Sequence, residues 1–235
     1  MGEFFTTTRD AKADYEKYLN KKISRKDPNL LEEFKEIEIE KYHAILIRLR
    51  LMLANEKSYN EKHWQVQILQ IILLMYTRYI RVFENVPIKG IDEEKRYLDY
   101  LLVDVNGYAD VIEIKKPFDN CIVSSRTYRE NHIPLHELSG AIMQLEKYLL
   151  GLNRWGASTE KALNEKYKDS LPAGVEIKIV NPGGIIIMGR EHNLTTSQKK
   201  DFEVIKRKFK NVFDIITYDN LIFRLEATIS QLKMR

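Results

Sequence analysis

Apolar residues in the first quarter of the chain recur at helical spacing. Between residues 28 and 54 they fall near a period of 3.6, and Pro28 stands where the first turn of a helix tolerates proline. The apolar positions are Leu30, Phe34, Ile37, Ile45, Leu49 and Met52. The pattern predicts a long amphipathic helix within an N-terminal helical segment, residues 1–57. Its apolar stripe could pack on the rest of the chain or on another subunit.

A second helix is predicted to begin near residue 60. Ser58 and Glu61 have the spacing of a capping box, with Ser58 as the N-cap, and an apolar run from Trp64 to Tyr76 follows. A capping box alone would account for Glu61.

The next stretch is typical of β-strands. Residues 79–88 predict one strand, and residues 96–105 and 108–117 predict a hairpin around Asn106-Gly107, because Asn-Gly is a strong tight-turn signal between β-rich runs. A polar loop of about 15 residues is expected after Pro117.

The remaining pattern predicts a helix from about Pro134 to Leu152, a charged segment, and two strands on either side of residues 181–184. A helix capped by Thr195 or Thr196, a short strand and a terminal helix complete the chain. Residues 58–235 are therefore expected to form one α/β domain with a mixed sheet flanked by helices.

Composition narrows the class of protein only slightly. The 235 residues are 44% apolar, which fits a globular protein, and the longest apolar run, Ile68–Met75, is far shorter than the ~20 residues of a membrane span. The start of the chain lacks the apolar region of a secretory signal, and the single cysteine, Cys121, fits a reducing compartment. We expect a cytoplasmic protein without a membrane partner. The net charge of +4 neither requires nor excludes nucleic acid.

One predicted strand carries a carboxylate and an ammonium two positions apart, in Glu113-Ile114-Lys115. Both side chains must project from the same face of the sheet. An ion pair is the simplest explanation, since Glu-x-Lys also begins at Glu33, Glu93 and Glu176, and Glu176-Ile177-Lys178 is an identical tripeptide. The pattern alone therefore indicates no function.

The surroundings of Glu113 distinguish it from the other three. Asp99 lies on the preceding strand of the same predicted hairpin, and Gln144 and Tyr148 lie four residues apart, on one face of the next helix. Mg²⁺ binds oxygen ligands and often takes only one or two protein carboxylates. Asp99 and Glu113 could supply these, and Lys115 could orient or deprotonate a water molecule or stabilise the transition state of phosphate hydrolysis.

This hypothesis makes a demand on the hairpin. A strict two-residue turn at Asn106-Gly107 would pair Asp99 with Ile114 and put Asp99 on the opposite face from Glu113. A one-residue bulge or a three-residue loop is required to put both carboxylates on one face.

The arrangement of these residues along the chain resembles a nuclease superfamily. Glu61 on a first helix, Asp99 on a strand, Glu113-Ile-Lys115 on the next and Gln144-x-x-x-Tyr148 on a helix are similar to the PD-(D/E)xK, or restriction-endonuclease-like, pattern. Six stretches between about residues 58 and 225 resemble the nuclease domain of Shedu antiphage defence proteins. They are EKHWQ, YLDYLLVD, ADVIEIKKP, SGAIMQLEKYL, GGIIIMGR and ITYDNLIFRL.

The resemblance implies a restriction-endonuclease-like core and an endonuclease, dependent on Mg²⁺ or Mn²⁺, that cuts foreign double-stranded DNA as a homo-oligomer, a dimer or tetramer. It makes Asp99, Glu113 and the backbone carbonyl of Ile114 metal ligands. The proline that opens the family motif is absent, because Leu98 precedes Asp99.

The same resemblance implies roles for four further side chains. Lys115 would be the catalytic lysine and Gln144 would belong to the catalytic set, while Glu61 and Tyr148 would support the site.

Four cations are candidates for contact with DNA: Lys116, Arg126, Arg129 and Arg190. Arg126 and Arg129 flank Tyr128, a composition suited to phosphate and base contact. Arg190 could equally be a salt-bridge partner.

Three polar residues near these candidates are expected to be structural. They are Asp110, which falls on the other strand face from Glu113, and His132 and His136, which lack further ligands at zinc-site spacing.

Two other functions remain open at this stage. The fold could serve as a catalytically idle DNA-binding or assembly module, although Asp99, Glu113 and Lys115 are all present. It could also be a repair or junction-resolving nuclease that uses the same site on another substrate.

Overall fold

The computed structural model describes residues 30–234, in which six α-helices and seven strands are placed. The helices within it are α1 (Leu30–Ala54), α2 (Glu61–Met75), α3 (His136–Arg154), α4 (Gly156–Tyr167), α5 (Thr196–Lys208) and α6 (Tyr218–Met234). The strands are β1 (Tyr79–Lys89), β2 (Lys95–Asp104), β3 (Ala109–Ile114), β4 (Val123–Tyr128), β5 (Asn131–Pro134), β6 (Gly184–Ile187) and β7 (Val212–Ile216).

These residues form two compact units. Residues 30–50 and 224–234 belong to one, and Leu51–Phe223 forms the other. The predicted helix start at Pro28 lies outside the described residues, and the division of the chain at residue 57 stays a prediction. In α1, Leu49 and Met52 are buried as the periodicity indicates, whereas Phe34 and Ile37 are exposed.

A five-stranded mixed sheet organises the larger unit. Its strand order is β1-β2-β3-β6-β7, with antiparallel pairing among the first three strands and parallel pairing from β3 to β6 to β7. Every residue of β6 is buried, as expected for a parallel strand covered on both faces. The predicted α/β class with a mixed sheet flanked by helices is confirmed.

Helix α3 covers the face of the sheet from which the Glu113 side chain projects. Its buried residues recur every three or four positions, and the helix lies against β1, β3, β6 and β7. The buried residues are Leu138, Ala141, Ile142, Leu145, Leu149, Gly151 and Leu152. The Leu145 side chain occupies the space where a Cβ at Gly184 would stand, so the helix packs closely on β6.

The β2–β3 hairpin contains the three-residue loop that the hypothesis requires. Asp104 and Tyr108 close it through a 3.0 Å bond between the Asp104 N–H and the Tyr108 carbonyl. The Asp104 side chain accepts the N–H groups of Asn106 and Tyr108, each at 2.9 Å, and Gly107 is left-handed, with φ +88°. Along the strands, the aligned pairs are Tyr100–Ile112, Leu101–Val111, Leu102–Asp110 and Val103–Ala109.

The start of α2 differs from the prediction. Its N-cap is Asn60, whose side chain accepts the N–H of His63, while Ser58 ends a one-turn 3₁₀ helix. Glu61 is thus the first helical residue, and no capping box explains it.

Three other expectations were wrong. The polar loop after Pro117 contains the β4–β5 hairpin, and the charged segment after α3 contains α4. The segment 174–180 forms no strand, because it contributes a single bridge, between Tyr108 and Lys178. For the last predicted helix but one, Thr195 is the N-cap, in a capping box with Gln198.

Between residues 30 and 234, no helix is both long and apolar enough to cross a membrane.

Replacing Gly107 by alanine should destabilise the protein by about 3 kcal/mol, because the new Cβ would collide with the backbone carbonyl oxygen of Glu176 and φ is left-handed. Gly174→Ala is the matched control. Gly174 is also left-handed, at φ +78°, but its Cβ would meet open space, so a loss of about 1 kcal/mol is expected. Urea unfolding measures both variants, and equal losses would contradict the steric explanation.

Candidate active site

The hairpin register brings two carboxylates to one face of the sheet. Continuing the alignment of Leu101 with Val111 places Asp99 opposite Glu113. Asp99 Oδ2 also accepts the backbone N–H of Ile114 at 3.4 Å. The two carboxylates therefore meet where β2 and β3 lie side by side, beneath α3.

Glu113 is the most unusual charged residue of this face, because its side chain is only 1% exposed. Its Oε1 lies 2.6 Å from the Lys115 ammonium and accepts the Gln144 amide at 2.9 Å. Its Oε2 is buried and has no hydrogen-bond partner. A buried oxygen without a partner normally costs free energy, so Oε2 is the oxygen of this carboxylate that could accept a hydrogen bond or contact a cation.

The environment makes both carboxyl groups hard to ionise. Burial, together with the nearby charge of Asp99, raises the pKa of Glu113 to about 7 despite the attraction of Lys115. Burial also raises the pKa of Asp99, against the opposing effects of the Ile114 N–H and the Lys115 ammonium. A cation placed between them would favour the charged form of both.

Lys115 is fixed by hydrogen bonds to its backbone and by the ion pair of its ammonium with Glu113. Its N–H donates to the Ile187 carbonyl at 2.8 Å, and its carbonyl accepts the Tyr218 hydroxyl at 2.6 Å. Burial tends to lower the pKa of Lys115, but Glu113 and Asp99 outweigh it and the pKa is raised. The lysine therefore carries its charge at neutral pH.

Glu61 lies at the edge of this group. Its Oε1 is 4.0 Å from the Lys115 ammonium, and its side chain is about half exposed. The first turn of α2 thereby adds a third carboxylate near Lys115.

Gln144 and Tyr148 line one face of α3, as their spacing predicts. Gln144 donates to the Tyr148 hydroxyl at 3.0 Å as well as to Glu113. Burial raises the pKa of Tyr148, so its hydroxyl stays protonated and can donate a hydrogen bond of its own.

The donor set fits a small hard cation. Asp99 and Glu113 supply carboxylate oxygens, and Ile114, whose carbonyl is the third predicted ligand, lies between Glu113 and Lys115. Among the described residues no three His, Cys, Asp or Glu side chains form a metal-binding cluster.

The four candidate DNA contacts divide into two groups. Arg126 and Arg129 are exposed on the β4–β5 hairpin, where Arg129 lies 5.5 Å from the Tyr128 ring, and half-buried Lys116 lies 5.7 Å from the Phe118 ring. Arg190 instead forms a bidentate pair with Asp219, so the structure shows it as a salt-bridge partner.

Two of the three residues expected to be structural, Asp110 and His132, have structural partners, and the expectation for His136 stays a prediction. Asp110 pairs with Arg78 and accepts the Tyr79 hydroxyl and the Gly183 N–H. The His132 backbone N–H donates to Asp201.

The twin tripeptide lies in a different environment. Glu176 and Lys178 are exposed, and Lys178 donates to the Asn106 carbonyl beside the hairpin loop.

Two residues near the site were not singled out from the sequence. Tyr218 is fully buried, contacts the Trp64 ring edge-on at 5.1 Å and donates a hydrogen bond to the Lys115 carbonyl. No local sequence pattern indicates this contact, because Lys115 is 103 residues away. Asn85, in β1, has a left-handed backbone with φ +51°. Its two neighbours in β1 pair with Leu98 and Tyr100 of β2, so Asn85 lies opposite Asp99. An asparagine in the middle of a strand was the available signal for this strained position.

The fold and site thus define an α/β domain with a buried carboxylate–lysine centre. The family model described as "Shedu protein SduA, C-terminal" matches residues 58–222, and the chain belongs to this family. Membership suggests a role in antiphage defence. A search of the curated proteins found no match.

The raised pKa of Glu113 should make stability depend on pH. The carboxyl group has a pKa near 4.5 when unperturbed and about 7 in the folded protein, so the folded state binds more protons between these values. The free energy of unfolding should therefore fall by roughly 1–3 kcal/mol as pH rises through this window in metal-free buffer.

In Glu113→Gln, the unfolding free energy should no longer fall by this amount as pH rises. Glu176→Gln changes the exposed glutamate of the identical tripeptide and should show the same fall as the wild type. Urea unfolding at several pH values measures the difference. Parallel curves for Glu113→Gln and the wild type would refute the assignment.

Proposed function

We propose that this protein is a PD-(D/E)xK endodeoxyribonuclease, dependent on Mg²⁺ or Mn²⁺, that hydrolyses phosphodiester bonds in foreign double-stranded DNA during antiphage defence. One observation carries the proposal. Glu113 is buried opposite Asp99, with one oxygen held by Lys115 and the other left without a partner. A purely structural ion pair would have no reason to bury an unsatisfied carboxylate oxygen.

The cation would be held by Asp99, Glu113 and the Ile114 carbonyl. When bound, it would acidify a water ligand and neutralise charge that develops on the phosphate oxygens. The buried position of Glu113 supports this proposal, because a carboxylate in a dry site binds a cation more strongly than one in water.

Lys115 would act next to that cation. Its ammonium is anchored by Glu113 Oε1 and has Glu61 within 4.0 Å, so it is charged and confined. From there it can orient the attacking water or stabilise the negative charge of the transition state. Gln144 fixes the rotamer of Glu113 and so keeps Oε2 facing the ligand position.

The β4–β5 hairpin supports binding to DNA. Arg126, Tyr128 and Arg129 are all exposed, and cations beside an aromatic ring can contact phosphates and bases. Exposed Phe34 and Ile37 on α1 support assembly into a homo-oligomer, a dimer or tetramer. We place the activity in the cytoplasm, where injected phage DNA is exposed.

Removing the Lys115 ammonium should slow cutting strongly. Plasmid and linear DNA are incubated with Mg²⁺ or Mn²⁺, and Lys115→Ala should cut at least about 100-fold more slowly than the wild type. Lys178→Ala removes the equivalent lysine from the twin tripeptide and should cut like the wild type.

Equal cutting by the wild type and Lys115→Ala would sink the catalytic assignment. Binding without cutting by both would favour the idle module instead. A strong preference for branched over plain duplex DNA would favour a junction-resolving nuclease.

Metal binding can be tested without measuring activity. Saturating Mg²⁺ or Mn²⁺ should stabilise the wild type by about 1–3 kcal/mol at neutral pH, seen as a higher Tm. Asp99→Asn and Glu113→Gln should lose most of this shift, and Glu176→Gln should retain it. A shift that survives in both site variants would place the metal elsewhere.

A further inference from the structure

A pocket adjoins the candidate active site beside α3. It has a volume of about 490 Å³ and lies between the β1–β2 connection, near Gly90, and the exposed side of α3. Gln144, which donates to Glu113, and Tyr148 form part of its wall. A molecule in this pocket would therefore lie next to the catalytic residues.

One cation of the pocket is available to pair with a phosphate. Arg96 is already engaged in ion pairs with Asp92 and Glu94, whose two carboxylates exceed its single charge. Lys147 is exposed at the wall and makes no ion pair with any residue of the described range. Lys147 is thus the lining cation, among the described residues, that forms no ion pair.

The remaining lining is apolar or aromatic. Met143 is 55% exposed, and Ile91 and the half-buried Tyr148 lie near it. Such groups contact the faces of nucleobases favourably, and the volume falls within the usual range of small-ligand pockets. Gly140 also lines the pocket, and a side chain can be added there without a clash, because a Cβ would meet no atom within 4 Å.

We propose that this pocket holds one nucleotide of the bound DNA strand, unstacked from its neighbours, beside the phosphate that is cut. Lys147 pairs with the phosphate of that nucleotide, and Met143 and Tyr148 contact its base. The inference rests on the proposed function, because it assumes that the protein binds DNA with the phosphate to be cut next to Glu113.

Unstacking a nucleotide costs free energy, and the cost is smallest where the base is already mispaired. A protein that holds one base outside the helix therefore binds mismatched duplex more tightly than paired duplex. A free nucleotide has the same chemistry as a nucleotide of the strand, but its binding would create no such preference.

The pocket can be filled without touching a catalytic residue. Gly140→Leu places a side chain at the entrance, and Gly140→Ala is the matched control with too small a side chain to block it. Both residues favour the helix over glycine, so the Tm should not fall. Each change is made in the Lys115→Ala protein, so that the DNA is bound and not cut.

Fluorescence anisotropy with short fluorescein-labelled duplexes measures the effect. The Lys115→Ala protein should bind a duplex with one mismatch about tenfold more tightly than the paired duplex. Gly140→Leu should remove this preference, and Gly140→Ala should keep it.

A second variant tests the phosphate contact. Lys147→Ala should weaken binding of both duplexes about threefold to tenfold. Lys161→Ala removes an exposed lysine of α4 that does not line the pocket, and should weaken binding less.

The proposal fails if Gly140→Leu and Gly140→Ala show the same preference, or if neither shows one. Saturable binding of deoxyadenosine monophosphate that Gly140→Leu removes, without a mismatch preference, would also overturn it, in favour of a free nucleotide. Parallel cleavage assays separate this inference from the proposed function. A mismatch preference that depends on residue 140 without metal-dependent cutting would contradict only the nuclease, and cutting without the preference would contradict only the pocket.

Discussion

A carboxylate buried beside a lysine is the interaction on which the site depends. Glu113 has lost nearly all contact with water, and the Lys115 ammonium and the Gln144 amide compensate only one of its oxygens. A fold accepts this cost when the surrounding packing leaves no alternative position for the side chain. Here the strand fixes Glu113, α3 covers it, and neither can move without disturbing the core.

The hairpin that carries this carboxylate is fixed by its loop. A loop one residue shorter would have turned Asp99 to the other face of the sheet. Asp104 caps the loop by accepting two backbone N–H groups, and Gly107 passes so close to the segment around Glu176 that only a glycine fits. The positions of the two carboxylates thus depend on residues that take no part in any chemistry.

Several features of this structure follow from the sequence and others do not. The strands β1, β2, β3, β6 and β7, the helix α3 and the shared face of Gln144 and Tyr148 follow from local patterns in the sequence. The site hypothesis required a bulge or a three-residue loop in the hairpin without choosing between them. An aspartate before Asn106-Gly107 favours the longer loop, because it can accept the loop N–H groups. The β4–β5 hairpin was not predicted because its turn lacks the usual residues. Arg129 and Glu130 take the two left-handed positions, where Gly or Asn is normally expected. Tyr218 was missed because its contact with Lys115 is set by tertiary packing alone.

The hydrogen bond from Tyr218 to the Lys115 carbonyl also bears on how the protein is made. Its two partners are 103 residues apart, so the Lys115 carbonyl stays without this donor until nearly the whole chain has been synthesised. The strands β1, β2 and β3 can pair as they emerge because they are adjacent in sequence, whereas β7 ends only two residues before Tyr218. A nascent chain would therefore complete its sheet and the backbone contacts of Lys115 at almost the same point of synthesis.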